Sequence, residues 1–286
     1  MAVIGVQAMM LKHSFQELGP FETLRRVREI GYRAVEISQI PMDEANLAEL
    51  ERAGRELGIE YAALSAQLDG SPGATPYPLA SDLERAVADC RRLGTTMLRI
   101  GMLPMGELRS EQRVVDYAKR VNEAALALGE QGISLYYHNH HVDFAKQGGR
   151  YVLDVLADEA PAVGLEIDVH WVQRGGLDPV RTLQKYADRT AMVHLKDYRI
   201  RALPTAAIDA YESGDSATFS AAFKDLVQFA EVGEGNLDFG AIVPTALEIG
   251  ARYLLVEQDE LYGSTVFEAL TTSYENLVRL GFEDLF

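Results

Sequence analysis

Two hydrophobic periods alternate along the chain. Short β-branched runs, apolar throughout or every second residue, each lead into a longer stretch with apolar residues three and four apart and a glycine near its end. Val3–Gln7 predicts an opening strand, and Leu24, Val27 and Ile30 ahead of Gly31 predict a helix. Ala34–Ser38 is the second strand, NLAELERAGRELG the second helix and YAALSA the third strand. In SDLERAVADCRRLG, Ser81 stands at an N-cap position with Glu84 three residues on, the capping-box spacing. TMLRIG, ISLYYHNH, VGLEIDVHW, TAMVHLKD and RYLLVEQDE predict strands four to eight. The intervening helices include one opened by Ser110, another capped by Asp178 with Pro179 in its first turn, and a last one over TVFEALTTSYENLVRLG.

Eight strand–helix units at intervals of roughly 25–40 residues imply an α/β fold in which eight parallel strands close into a single (β/α)8 barrel. No linker divides the chain, so residues 1–286 read as one domain. Two segments exceed an ordinary connection. Residues 66–80 form a Gly/Pro-rich loop after strand three. Residues 199–238 form an insertion after strand seven, with a short helical pattern in SATFSAAFKDLVQFA. Both follow strands, which places them over the C-terminal face, where barrels build their active sites.

Charge narrows the partners. Lys and Arg number 27 against 43 Asp and Glu, a formal charge of −16, which repels nucleic acid and anionic membrane surfaces. The single cysteine, Cys90, has no intramolecular partner and falls in a helical pattern as a half-buried thiol, as expected of a reducing compartment. MAVIGVQAMML lacks a basic segment before its apolar run and reads as a strand, not a signal peptide. The expectation is a cytoplasmic protein; a homo-oligomer is compatible with the sequence.

Five of the six histidines, His138, His140, His141, His170 and His194, fall in strands five to seven, with Asp143, Asp168 and Asp197 among them and Glu257 at the end of strand eight. Alternation puts Tyr136, His138 and His140 on one face, Asp168 and His170 on another strand's inner face, and His194 with Lys196 on a third. A lone histidine or aspartate at a strand end is usually structural, the aspartate often a helix N-cap. A series on consecutive strand ends points to a converging site. Nitrogen and carboxylate donors without thiolate suit a divalent ion: Mn²⁺, Co²⁺, Mg²⁺, Fe²⁺ or Zn²⁺. G-x-G-x-x-G, P-loop and Cys-x-x-Cys motifs are absent from the sequence.

GVQ at the start, YHNHH, LEIDVHW, VHLKD, EVGEGNLDF and LLVEQD, in that order, resemble the sugar phosphate isomerase/epimerase family, and YHNH is similar to one of its branches. That family has the xylose isomerase-like barrel and is distantly related to endonuclease IV. The resemblance implies a metal held by Glu, Asp, His and Glu from strands five to eight. Asp168, His194 and Glu257 match the last three; Tyr136 stands where the first glutamate is usual. The expectation is that His140 replaces that glutamate, with His138 touching substrate. Glu257 is expected to be both ligand and base and His140 the opposing acid/base. His170, Lys196, Trp171 and Glu36 are further candidates for substrate contact, and EVGEG for a loop beside the pocket.

The leading functional expectation is a metal-dependent isomerase or epimerase acting on a sugar or keto-sugar through an enediolate-type intermediate. The alternative is a dehydratase or lyase on a keto-inositol, keto-sugar or 3-keto-glycoside. A sugar-binding barrel without catalysis and an endonuclease IV-like nuclease rank below these, the nuclease because of the net charge.

Overall fold

The computed structural model describes residues 2–71, 73–74 and 76–286. Eight parallel strands, β1 (Val3–Gln7), β2 (Ala34–Ile37), β3 (Glu60–Gln67), β4 (Met97–Ile100), β5 (Ser134–His138), β6 (Gly164–Asp168), β7 (Thr190–Leu195) and β8 (Tyr253–Val256), pair in sequence order. β1 pairs with both β2 and β8, which closes the barrel. Their register aligns His194 of β7 with Asp168 of β6 on one side and Leu255 of β8 on the other. The ends of neighbouring strands are thus brought level.

Helices follow the strands around the outside: α1 (Pro20–Ile30), α2 (Glu44–Leu57), α3 (Leu79–Leu93), α4 (Glu111–Glu130), α5 (Val152–Glu159), α6 (Pro179–Lys185), α7 (Phe239–Glu248) and α8 (Val266–Arg279). Their apolar stripes pack on the outer faces of the strands. Leu24 and Val27 of α1, Leu47 and Leu50 of α2 and Leu270 and Leu277 of α8 are buried in one continuous core. Burial of this apolar area drives closure of the barrel. Ser110 and Asp178 cap α4 and α6 by accepting the amides of Arg113 and Arg181.

The sequence reading needs four corrections outside the site. Helix α3 begins at Leu79, not at Ser81, because Tyr77 and Pro78 pair with the end of β3 and carry the chain straight into the helix. Ser81 instead donates its hydroxyl to the Gly70 carbonyl, and α3 bends at Asp82. Cys90 is fully buried, and burial pushes its thiol up to about 12. The expected loop 66–80 is shorter, since Ala66 and Gln67 belong to β3; its residues 72 and 75 lie outside the described residues. The insertion is an antiparallel ribbon, Asp197–Ile200 with Val227–Ala230, enclosing two helices, Thr205–Ser213 and Ser216–Lys224. The residues VQFA, read as part of a helical pattern, form its second strand.

Inside the barrel the side chains are layered. Ala34, Met97, Tyr136, Met192, Tyr253 and Leu255 cluster as an apolar layer separate from the outer core. Further along β2, β4, β5, β6 and β7 the interior turns polar, with Glu36, Arg99, His138, Glu166 and His194, all buried. Among the described residues no helix is long and apolar enough to cross a membrane.

Candidate active site

Asp168 ends β6 and does two things with one carboxylate. Its Oδ1 accepts the Trp171 amide at 2.9 Å, capping the short helix Val169–Arg174, while Oδ2 is left buried without a hydrogen-bond partner. Opposite Oδ2, at 3.5 Å, stands Nε2 of His138, also buried and unpartnered. The His138 Nδ1 faces the Gly101 carbonyl at 3.1 Å. A carbonyl only accepts, so the ring proton belongs on Nδ1 and Nε2 presents a bare lone pair. Burial, reinforced by His194 and Arg99, pulls His138 well below the ordinary histidine range and keeps it neutral. Two buried acceptors therefore face each other, a nitrogen and a carboxylate oxygen of the kind a divalent ion takes.

His194 and Glu257 complete the group. His194 Nδ1 is 2.7 Å from Glu257 Oε2 and 4.0 Å from Asp168 Oδ2. One ligand atom from each of His138, Asp168, His194 and Glu257 lies within 4.8 Å of the others, and all four residues are buried. On its other side His194 turns Nε2 toward Glu36 Oε2 at 2.9 Å and Glu166 Oε1 at 3.1 Å. Carboxylates behind a histidine fix its orientation and raise its donor strength, the arrangement metal-binding histidines use. Burial alone would lower His194, but Glu166, Glu257 and Glu36 together hold it well above the ordinary range when no cation is present.

The lower group Glu36, Glu166 and His194 is an ion network rather than a second metal site, because Arg99 already occupies it. Arg99 Nε lies 2.5 Å from Glu36 and 3.5 Å from Glu166, and its Nη2 donates to Ser38 at 3.0 Å. Burial, followed by repulsion from Glu36, lifts Glu166 to about 8. Burial would lift Glu36 as well, but Arg99 and His194 outweigh it and hold the carboxylate below its ordinary range.

Lys196, on the inner face just past β7, lies almost wholly buried between Asp259 at 3.0 Å, Glu257 at 3.3 Å and Asp168 at 3.6 Å. Its ammonium also sits over the Trp171 ring at 4.8 Å. Burial opposes its charge, yet Glu257 and Asp168 keep it above the ordinary lysine range. Above this group a cavity of about 280 Å³ opens, lined by His138, His140, Lys196, Glu257 and Asp259 on one side and by Gln7, Ser38, Ser65 and Gln67 on the other.

Several candidates lie elsewhere than strand alternation placed them. β5 ends at His138, so the alternation does not extend to His140; the chain turns there, and His140 opens the helical turn His141–Phe144 with its amide donating to Asp143 at 2.7 Å. His140 lines the cavity beside His138, their ring centroids 4.8 Å apart, but stands outside the four-residue group, in which His138 takes the strand-five position. β6 likewise ends at Asp168, which puts His170 on a helix against Trp171, Tyr198 and Phe229. Both of its ring nitrogens are buried without partners. Trp171 stacks on His140 and His141 within the wall, and Glu36 lies beneath His194 rather than along the cavity. Tyr136 faces inward in the apolar layer.

Arg99, Glu166 and Asp259 were not singled out from the sequence. The signal for each was a charge in phase with a chosen residue or strand face: Glu166 two before Asp168, Asp259 two after Glu257, and Arg99 alone in an apolar strand. Asn139 is a further residue that the local pattern does not mark. Its side chain accepts the Asp168 amide at 3.0 Å and locks the ends of β5 and β6 together.

The closed parallel barrel agrees with what comparison finds. The sequence matches the xylose isomerase-like TIM barrel family over residues 24–268, and the chain belongs to that family. Among solved structures it is similar to a sugar phosphate isomerase/epimerase from Parabacteroides distasonis, with TM-score 0.75 and 19% identity over 98% of each chain. It is similar to an L-ribulose 3-epimerase, with TM-score 0.68 and 16% identity over 100% of this chain and 96% of the other. A third likeness is to the 3-keto-D-glucoside 4-epimerase YcjR of E. coli, with TM-score 0.62 and 16% identity over 98% and 99%. At these identities the likeness establishes the fold. No curated protein matches significantly.

Proposed function

We propose that this chain is a divalent-metal-dependent isomerase or epimerase of a sugar or keto-sugar, the whole of residues 1–286 serving as one barrel domain. The observation that carries the reading is the pair of facing, unpartnered acceptors, His138 Nε2 and Asp168 Oδ2, grouped with His194 and Glu257 at the C-terminal mouth. These four residues would hold the ion. A divalent cation bound there supplies Lewis acidity, polarising a carbonyl and acidifying the C–H beside it.

The remaining chemistry falls to the side chains. Glu257 borders the cavity, and the charges of Lys196 and His194 keep it ionised despite burial. It removes the proton next to the carbonyl to give the enediolate. Lys196 is placed to donate to the oxygen on which negative charge develops, a preorganised donor in a water-poor site. Burial and the neighbouring His138 draw His140 down to about 3, so it meets the substrate as a neutral ring that orients a hydroxyl rather than as a proton store. Return of that proton from Glu257 to the neighbouring carbon gives isomerisation, whereas epimerisation takes a solvent proton on the opposite face of the enediolate, Glu257 giving its own proton up to solvent. A second reading is elimination, in which the proton taken up by Glu257 passes to the β-hydroxyl and water leaves; the unpartnered Nδ1 of His140, a residue of the cavity wall, favours it as an added hydrogen-bonding site for that hydroxyl.

The test is metal analysis of protein purified without chelators, then assay of ketoses, inososes and 3-keto-glycosides with Mn²⁺ or Co²⁺. About one divalent ion per chain and turnover of at least one compound are expected. Protein that takes up no divalent ion overturns the reading. A new enone absorbance on turnover selects elimination over epimerisation.

A further inference from the structure

We infer that the substrate of this site carries no phosphate or carboxylate, and that the cavity takes a neutral polyhydroxy or keto compound. The inference rests on the sugar reading above and narrows it.

The first observation is a filled anion seat. In (β/α)8 barrels a phosphate is commonly held by main-chain amides in the loops after strands seven and eight. Here such amides converge just beyond Lys196, which lines the cavity, but they converge on the carboxylate of Asp197. It accepts from Tyr198 N at 2.8 Å, Gly235 N at 2.9 Å, Gly233 N at 3.1 Å and Leu237 N at 3.2 Å. Asp197 is fully buried. The glycines of EVGEG serve this closure: Gly233 has φ +88°, and a Cβ on Gly235 would collide with the Asp197 carboxylate and the Tyr198 carbonyl. These amides line no part of the cavity and are already taken by an anion tethered to the chain, so this loop leaves no seat for a phosphate.

The second observation concerns the cations. Among the described residues the lysine and arginine side chains lining the cavity are Lys196 and Arg99. Lys196 is shared among Asp259, Glu257 and Asp168, and Arg99 is held by Glu36 and Glu166. Both are matched by carboxylates, so neither adds net positive charge for a phosphate, although Lys196 can still donate a hydrogen bond to a substrate oxygen. The loop after β8 adds Asp259 and Glu260, acids where a phosphate site needs donors. The opposite wall offers Gln7, Ser38, Ser65 and Gln67, amides and hydroxyls suited to sugar hydroxyls.

The experiment compares neutral and anionic ligands on the same protein. Ketohexoses and their phosphate esters are titrated calorimetrically into Mn²⁺-loaded wild type, and inorganic phosphate is tested by thermal shift on metal-free wild type and on Asp197→Gly. Each ester is expected to bind at least about tenfold more weakly than its parent sugar, the effect of about one screened charge repulsion. Inorganic phosphate at millimolar concentration is expected to leave wild type unchanged and to raise the melting temperature of Asp197→Gly, whose emptied seat can accept it. An ester that binds more tightly than its parent, or stabilisation of wild type by phosphate, overturns the inference; so does a folded Asp197→Gly that phosphate does not stabilise. If Asp197→Gly does not fold, the wild-type measurements decide. If no sugar binds in either form, the sugar reading has failed; phosphate then decides alone, exclusion of the anion standing if wild type is not stabilised and falling if it is.

Discussion

His194 Nδ1 and Glu257 Oε2 lie 2.7 Å apart across the β7–β8 pair. The register that aligns His194 with Leu255 puts Glu257 one step above the imidazole, at the floor of the cavity. Glu257→Gln keeps the volume and one donor oxygen but removes the charge and the basic lone pair. Turnover is expected to fall by at least about 10²-fold, the lower range for loss of a general base, with weaker metal binding. Steady-state kinetics on any active substrate checks this, and turnover near wild type would rule out Glu257 as the base.

His138 and His140 are expected to separate on metal affinity. His138→Ala removes the lone pair that faces Asp168, and affinity for Mn²⁺ or Co²⁺ should drop by at least about 10–100-fold, the loss seen on removing even an outer partner of a metal ligand. His140→Ala should leave metal affinity within a few-fold and raise KM instead. Calorimetric titration of both variants decides; equal losses would place both rings in the coordination sphere.

Arg99 balances two buried carboxylates. Arg99→Met preserves apolar bulk and strands Glu36 and Glu166 without a cation. Breaking a buried pair in this way costs about 3–5 kcal/mol. For a chain of this size that is a fall in melting temperature of about 5–8 °C. An unchanged melting temperature in calorimetry would show that the network contributes nothing to stability.

Burial lifts Asp143 to about 7, against the hydrogen bonds it accepts from His140 N and Tyr137. The folded chain thus retains a proton that the unfolded chain releases near 3.8. Between those values the native state binds more protons, so the contribution of Asp143 makes stability fall as pH rises, by up to about 1.4 kcal/mol per pH unit, and level off above about 7. Asp143→Asn should remove that slope. Urea melts of both proteins from acid to neutral pH measure the difference, and parallel profiles would refute the assignment.

Fold class and most strand positions follow from local periodicity. Val3–Gln7 lies where alternation puts it, and Asp168, His194 and Glu257 could be recognised as successive strand ends because each side chain's face is set by its own strand. Periodicity says nothing of where a strand stops. β5 ends at His138 and β6 at Asp168, where Asn139 and the Trp171 amide draw the backbone out of extended geometry, and those two turns decided that His138 rather than His140 joins the group and that His170 leaves the inner face. The pairing of Arg99 with Glu36, 63 residues apart, and of Asp197 with the amides of Gly233 and Gly235, 36 and 38 residues on, depended on barrel closure. Charges buried in a low-dielectric interior must find partners, and which partner is within reach is settled only when distant strands meet.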